Sequence, residues 1–171
     1  MEWMLLPLKR YFEFGGRSRR KEYWLFFLFT VLVSAVLGLI DGVLGLAVGP
    51  DADGDGVGDT GVLSTLFGLA TFIPSLAVGV RRLHDTDRRG WWLLMPVVLL
   101  IGGMVLGGGL GGASGGLPGL AVGMGLAFTL FLIGALVLLV FFCLDGTRGP
   151  NRFGPDPKDP TGTADLHEVF R

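Results

Sequence analysis

Between Tyr23 and Val80, and again between Gly90 and Leu144, the sequence has no lysine and no arginine. All fourteen basic residues fall in Met1–Glu22, Arg81–Arg89 and Asp145–Arg171. A Lys or Arg at the centre of a membrane helix costs about 2.5–3.5 kcal/mol, so long gaps without them mark lipid-embedded chain. Charge of either sign is scarce: 17% of residues are charged, against about 25% in an ordinary soluble domain. A single cysteine, Cys143, excludes an internal disulfide and any multi-cysteine metal site. The two histidines, His84 and His167, are too few and too far apart for a His-rich metal site. His-Glu-x-x-His and phosphate-loop patterns are both missing, and no cofactor is expected.

What is present is hydrocarbon. Half of the residues are hydrophobic and the mean hydropathy is +0.60. About 20 apolar residues span a bilayer core, and four runs approach that length. They lie at about 23–40, 62–80, 91–109 and 120–144. Tyr23 and Trp24 open the first and Trp91 and Trp92 the third, where aromatic rings favour the membrane interface. The twenty-two residues before the first run are long for a signal-peptide n-region, and no small-x-small cleavage site follows, so a retained span is expected. Pro74 lies inside the second run and should kink it unless neighbours satisfy the carbonyl it frees. The expected fold is all-α: a polytopic membrane protein of four transmembrane helices, residues 1–157 forming one membrane domain and 158–171 a flexible tail.

The loops set the expected orientation. The Asp41–Gly61 connection carries five aspartates and no cation, and Leu106–Gly119 carries no charge. The positive-inside rule then places both termini and the Arg81–Gly90 loop in the cytoplasm. Met1–Phe14, read as a helix, puts Trp3, Met4, Leu5, Leu8, Tyr11 and Phe12 on one side and Glu2, Lys9, Arg10 and Glu13 on the other. That pattern suits a helix lying in the interface, limited by Pro7. Gly102–Gly125 has twelve glycines in twenty-four residues. Glycine weakens a helix by about 1 kcal/mol relative to alanine, so a flexible outer loop is the favoured reading, with close helix packing kept open for Gly119, Gly123 and Gly125.

Three polar clusters flank the spans: Phe12–Trp24, Arg81–Trp92 and Asp145–Pro157. Within them Phe14, Arg17, Arg20, Glu22, Tyr23 and Trp24 fit F-x-G-R-x-x-R-x-E-[YF]-W. Pro74 to Trp92 fit P-x-x-A-V-x-x-R-R-L-H-D-T-x-R-x-G-W-W. Gly146, Gly149, Asn151, Arg152, Phe153, Gly154, Asp156 and Pro157 fit G-x-x-G-x-N-R-[FY]-G-x-D-P. On these motifs the chain resembles the bacterial inner-membrane family known as domain of unknown function 805. The resemblance implies a small multi-pass membrane protein of unestablished activity.

Read from the residues, the candidate functional cluster is Arg17, Arg20, Glu22, Arg81, Arg82, His84, Asp85, Asn151 and Arg152. The basic residues lean to arginine, with Lys9, Lys21 and Lys158 the lysines. Their plainest role is topology anchoring, since anionic headgroups attract each by about 1 kcal/mol; a sharper one is binding of a headgroup phosphate. His84 and Asp85 invite a general-base reading, but adjacent helical residues point apart. The structural alternative is an ion-paired turn in which Arg81, Arg82, Arg88 and Arg89 meet Asp85, Asp87, Glu22 and Asp145. The clusters are expected to meet in space, with Arg17 or Arg20 near Asp85 and Asn151–Phe153 near the Arg81–Gly90 loop.

Asp51, Asp53, Asp55 and Asp59 match the first half of a calcium loop, but its twelfth position is Val62 where a bidentate Glu is needed, so no tight metal site is expected. Three functions follow. The first is a non-enzymatic membrane protein whose basic cytoplasmic face contacts anionic lipid headgroups or a partner protein. The second is a small transporter or channel subunit, as a homo-oligomer, against which the spans lack internal acids and bases. The third is an enzyme acting on a lipid phosphate through Arg82, His84 and Asp85. Nucleic acid is not an expected partner, because the cations sit beside spans.

Overall fold

The computed structural model describes residues 2–48, 60–114 and 116–159. The calcium candidates Asp51, Asp53, Asp55 and Asp59, His167 and the tail beyond residue 159 lie outside the described residues. The chain runs as α1 (Glu2–Lys9), α2 (Arg20–Leu44), β1 (Ala47–Val48), β2 (Thr60–Gly61), α3 (Val62–Asp85), a short 3-10 turn (Gly90–Leu94), α4 (Met95–Ser114) and α5 (Gly116–Cys143). Four stretches are long and apolar enough to cross a membrane: Arg20–Leu44, Val62–Asp85, Gly90–Gly109 and Gly119–Cys143. Large side chains such as Leu39, Val43, Leu69, Val105 and Leu136 are exposed on them, as lipid contact requires.

The spans form two antiparallel hairpins. In the first, α2 ends on Gly45, whose φ of 62° is the left-handed conformation that closes a helix; its N–H and that of Leu46 return to the carbonyl of Asp41. β1 and β2 pair antiparallel, Ala47 with Gly61 and Val48 with Thr60, and deliver the chain to α3. The N-cap of α3 is Gly61, which has no side chain to offer. Asp41 supplies one from α2: its carboxylate accepts from the Leu63 N–H (3.0 Å), the Ser64 N–H (2.9 Å) and the Ser64 hydroxyl (2.9 Å). A Cβ at Gly61 would stand 2.3 Å from Asp41 Oδ2, so glycine is the residue that leaves room for this borrowed cap.

Pro74 sits in the middle of α3 and cannot bond the carbonyl of Ala70, four residues back. The Tyr11 hydroxyl donates to that carbonyl at 2.6 Å. The helix expected over Met1–Phe14 is therefore shorter than its apolar pattern: α1 stops at Lys9, and the turn that follows aims Tyr11 into the first hairpin. α1 packs against both α2 and α3, with Pro7 buried in the contact.

The glycine-rich region corrects an expectation. Residues 102–114 and 116–125 are helical, the end of α4 and the start of α5. A Cβ on Gly103 would lie 2.4 Å from the Ala127 Cα, one on Gly107 would lie 2.2 Å from the Gly123 Cα, and one on Gly134 would lie 2.8 Å from the Pro96 Cα. These pairs step along the two helices in opposite directions at equal spacing, which is the register of an antiparallel pair in backbone contact. The propensity penalty that argued for a loop is measured in water. In lipid the backbone must bond to itself, and glycine there allows the close approach that drives helix pairing. Gly123 carries that contact; a Cβ on Gly125 would meet nothing within 4 Å.

The hairpins join at the end that carries the basic residues. Leu83, Leu138 and Phe142 form the buried cluster there, ringed by Tyr23, Trp24, Trp92, Leu93 and Phe141. Gly107→Ala should lower stability by about 1–3 kcal/mol through overpacking, whereas Gly108→Ala, where a Cβ meets nothing within 4 Å, should leave it unchanged or raise it slightly. Thermal unfolding in detergent micelles, followed by circular dichroism, reads the difference. Equal midpoints for the two variants would refute the packing role.

Candidate functional site: an arginine–carboxylate knot

The centre of the basic end is Asp85, the last residue of α3, with 3% of its surface exposed. Arg82, one turn earlier, lies on the same helix face and donates from Nη1 to Asp85 Oδ2 at 2.5 Å. Arg17 arrives from the extended segment before α2 and takes the other oxygen, with Nε and Nη2 each 3.0 Å from Oδ1. Both guanidinium groups are buried. One carboxylate between two cations leaves charge to be dispersed, and backbone carbonyls disperse it. Arg17 donates to Gly149 O (2.6 Å) and Thr147 O (2.5 Å). Arg82 donates to Phe142 O (3.2 Å) and to Leu144 O.

Those acceptors are the end of α5 and the chain just beyond it. α5 has no basic residue in its own last turn to meet its free carbonyls. Arg82 serves Phe142, and Arg20 Nη1 serves Cys143 at 2.9 Å. The returning chain is pinned in turn: the Thr147 N–H bonds Asp85 O at 2.8 Å. Gly146 passes so close that a Cβ would lie 2.1 Å from Asp85 Oδ2.

A second buried pair lies beside the first. Arg81 is fully enclosed and reaches Glu22 Oε1 at 3.2 Å, with the exposed Glu13 carboxylate 3.9 Å from Nη1. The Ser18 N–H bonds Arg81 O at 3.1 Å, so α2 starts registered against α3. His84 is half-buried. Its ring stacks on Phe153 at 3.8 Å between centroids and 4° between planes, with Nδ1 3.2 Å from Gly16 O. Asn151 donates to His84 O (2.9 Å) and to Thr147 Oγ1 (3.0 Å), and accepts from the Phe153 N–H (2.9 Å). On the rim Arg152 pairs with Asp87 at 3.0 Å, and Arg20 with Asp145 at 2.5 Å. Lys158 and Arg20 together hold the Asp145 carboxyl below the usual carboxylate range.

All nine candidate residues therefore sit at one end of the bundle, but they do not converge on one point. Arg17, Arg82 and Asp85 share a centre, and Arg81 and Glu22 form another. His84 and Asn151 meet through a backbone carbonyl, and Arg20 and Arg152 are peripheral. Arg17, not Arg20, holds Asp85. Asp145 belongs to Arg20 and Lys158 rather than to the α3 arginines. Arg88 leaves the expected ion-paired turn to lie over the Phe141 ring at 4.0 Å. Among the described residues no group of three His, Cys, Asp or Glu is placed to hold a metal ion. The residues missed by sequence reasoning are Tyr11, Asp41 and Thr147. Only Asp41 had a signal: it is an acid at the end of an apolar run, facing a helix start whose cap is glycine.

Asp85→Asn should destabilise the protein by about 3–5 kcal/mol, because it strands two buried guanidiniums. Asp87→Asn, which weakens a half-exposed pair, should cost under about 1 kcal/mol. Unfolding midpoints in micelles test this, and equal effects would show that the buried pair is not a principal tie.

Residues 11–155 match the family described as Protein of unknown function (DUF805). The chain is 39% identical to Inner membrane protein YhaH of Escherichia coli (strain K12), over 92% of this chain and 98% of that protein. It is 40% identical to Inner membrane protein YhaI of the same organism, over 92% and 97%. To Uncharacterized protein YiiR it is 31% identical, over 90% and 92%. No solved structure matches the chain. Four candidate spans and relatives of this kind make it a multi-pass inner-membrane protein. Its basic knot is built from the motifs that run through the matched region, and the chain belongs to the DUF805 family of unknown function.

Proposed function

We propose that the protein acts without covalent chemistry, as an inner-membrane protein whose basic end faces the cytoplasm and contacts anionic lipid headgroups. The observation that carries this reading is the occupancy of Asp85. Both its oxygens are taken by buried arginines, so the residue best placed to orient a general base is committed to structure. His84 is likewise covered on one ring face by Phe153. The cations that remain outward are a rim: Lys9, Arg10, Lys21, Arg89 and Arg148 are exposed. Such a rim beside span ends is attracted to an anionic leaflet by about 1 kcal/mol per residue. A carrier role finds less support. Both carboxylates of the first span are committed to structure, Asp41 as the cap of α3 and Glu22 in the pair with Arg81.

The orientation has a direct test. In a Cys143→Ser background, a membrane-impermeant maleimide applied to spheroplasts should label a cysteine at position 55 and reach one at position 89 only after lysis. The reverse pattern would overturn the reading. The lipid contact has another. Phosphatidylglycerol added to the protein in micelles should raise its unfolding temperature more than phosphatidylethanolamine does. The excess should shrink as salt rises from about 0.05 to 0.5 M, since the Debye length falls severalfold. Equal stabilisation by both lipids would sink the headgroup proposal.

A further inference from the structure

A groove of about 650 Å³ opens between the first turns of α2 and the last turn of α5, lined by Arg20, Lys21, Trp24, Leu25 and Cys143. Its origin lies in the pairing of the helices. α2 belongs to one hairpin and α5 to the other, and they approach where Arg20 reaches the Cys143 carbonyl and where Tyr23 meets Phe142 with ring centroids 4.4 Å apart. Beside that crossing the two helix surfaces diverge and leave a cleft open to the lipid side.

The cleft has two chemistries. Its lip is cationic. Lys21 is exposed and makes no ion pair among the described residues. Arg20 is held in place by Asp145 and the Cys143 carbonyl, which use two of its five N–H donors. Lys158 shares the Asp145 carboxylate, so the lip as a whole stays positive. Its wall is apolar. Trp24 and Leu25 begin it, and exposed Leu28 on α2 and Leu139 on α5 continue the same helix faces away from the lip. A free phosphate would use the lip alone, and a hydrocarbon the wall alone. A phosphodiester with an acyl chain attached uses both, in the order in which a bilayer presents them. A headgroup carrying its own ammonium would oppose the cationic lip.

We infer that this groove binds one anionic glycerophospholipid, its phosphate on Lys21 and Arg20 and one acyl chain along Trp24, Leu25 and Leu139. The inference rests on the headgroup-contacting reading above and narrows a diffuse attraction to one site of fixed stoichiometry.

Native mass spectrometry of the full-length protein decides it, with the protein released from micelles containing equal amounts of phosphatidylglycerol and phosphatidylethanolamine. One phosphatidylglycerol should be retained, with phosphatidylethanolamine at least about fivefold less occupied, as one extra surface cation contact would give. Lys21→Gln, at an exposed residue with no ion pair to lose, should lower that occupancy about fivefold. Leu25→Trp, which fills the wall and keeps every charge, should lower it as well. Arg89→Gln and Arg148→Gln, which remove rim cations that do not line the groove, should lower it far less than Lys21→Gln does. If Lys21→Gln and Leu25→Trp keep the wild-type occupancy, or all four variants lower it alike, the groove is not the site, although general headgroup contact survives. If phosphatidylglycerol is not preferred over phosphatidylethanolamine at all, both readings fall.

Discussion

The rest of the structure depends on two arginines that share one buried carboxylate. Two apolar hairpins in lipid have no hydrophobic reason to associate, because lipid tails solvate their side chains as well as a neighbouring helix would. α4 and α5 meet through backbone contact at Gly103, Gly107 and Gly123, and α2 and α3 through the borrowed cap at Asp41. Neither device reaches across from one hairpin to the other. Asp85 with Arg17 and Arg82 does. Arg82 crosses from α3 to the end of α5, and Arg17 crosses from the start of α2 to the chain beyond α5. The pairs are costly to desolvate, and they are retained where the fully hydrogen-bonded arrangement offsets that cost.

That arrangement explains the weight of arginine in the sequence. Arg17 and Arg82 each face a carboxylate along one edge of the guanidinium and backbone carbonyls along the other. A planar fork with five donors can bridge two such partners, and a lysine ammonium on a flexible stem cannot hold both geometries. Topology alone would be served as well by lysine. Outside the knot, the lysines Lys9, Lys21 and Lys158 and the arginines Arg10, Arg89 and Arg148 are exposed. Charge is thus divided by depth, with interior guanidiniums fixing the fold and exterior cations left to meet the surface.

The spans were legible because lipid acts on composition. A stretch without Lys or Arg, flanked by Trp, is a signal local enough to read from a line of letters. The meeting of the three polar clusters was legible for a related reason: short helices returning to one face bring their ends together. The specific pairings were not. Whether Asp85 takes Arg17 or Arg20 turns on where α2 begins: Arg17 lies in the extended segment before the helix and Arg20 is its first residue, a boundary that sequence spacing does not fix. The glycine-rich region misled because one residue type carries opposite meanings in two solvents. In water it loosens a helix, and in lipid it lets two helices touch.

The polar residues that sequence reading passed over share a cause. Pro74 removes an N–H from the middle of α3 and Gly61 removes a cap from its start, and each deficit is filled from elsewhere in the chain, by Tyr11 and by Asp41. α5 presents the same problem at its C-terminus, filled by Arg82 and Arg20. In water such orphaned backbone groups would find solvent. Inside a membrane domain each must find a donor or acceptor in the protein, because an unmet one costs several kcal/mol. A proline, a glycine cap or a helix end without its own basic residue is therefore, in a membrane chain, a demand for a distant polar side chain. Those demands place Tyr11 against α3, Asp41 against Gly61 and the arginines at the end of α5, and through them they help to set the relative positions of α2, α3 and α5.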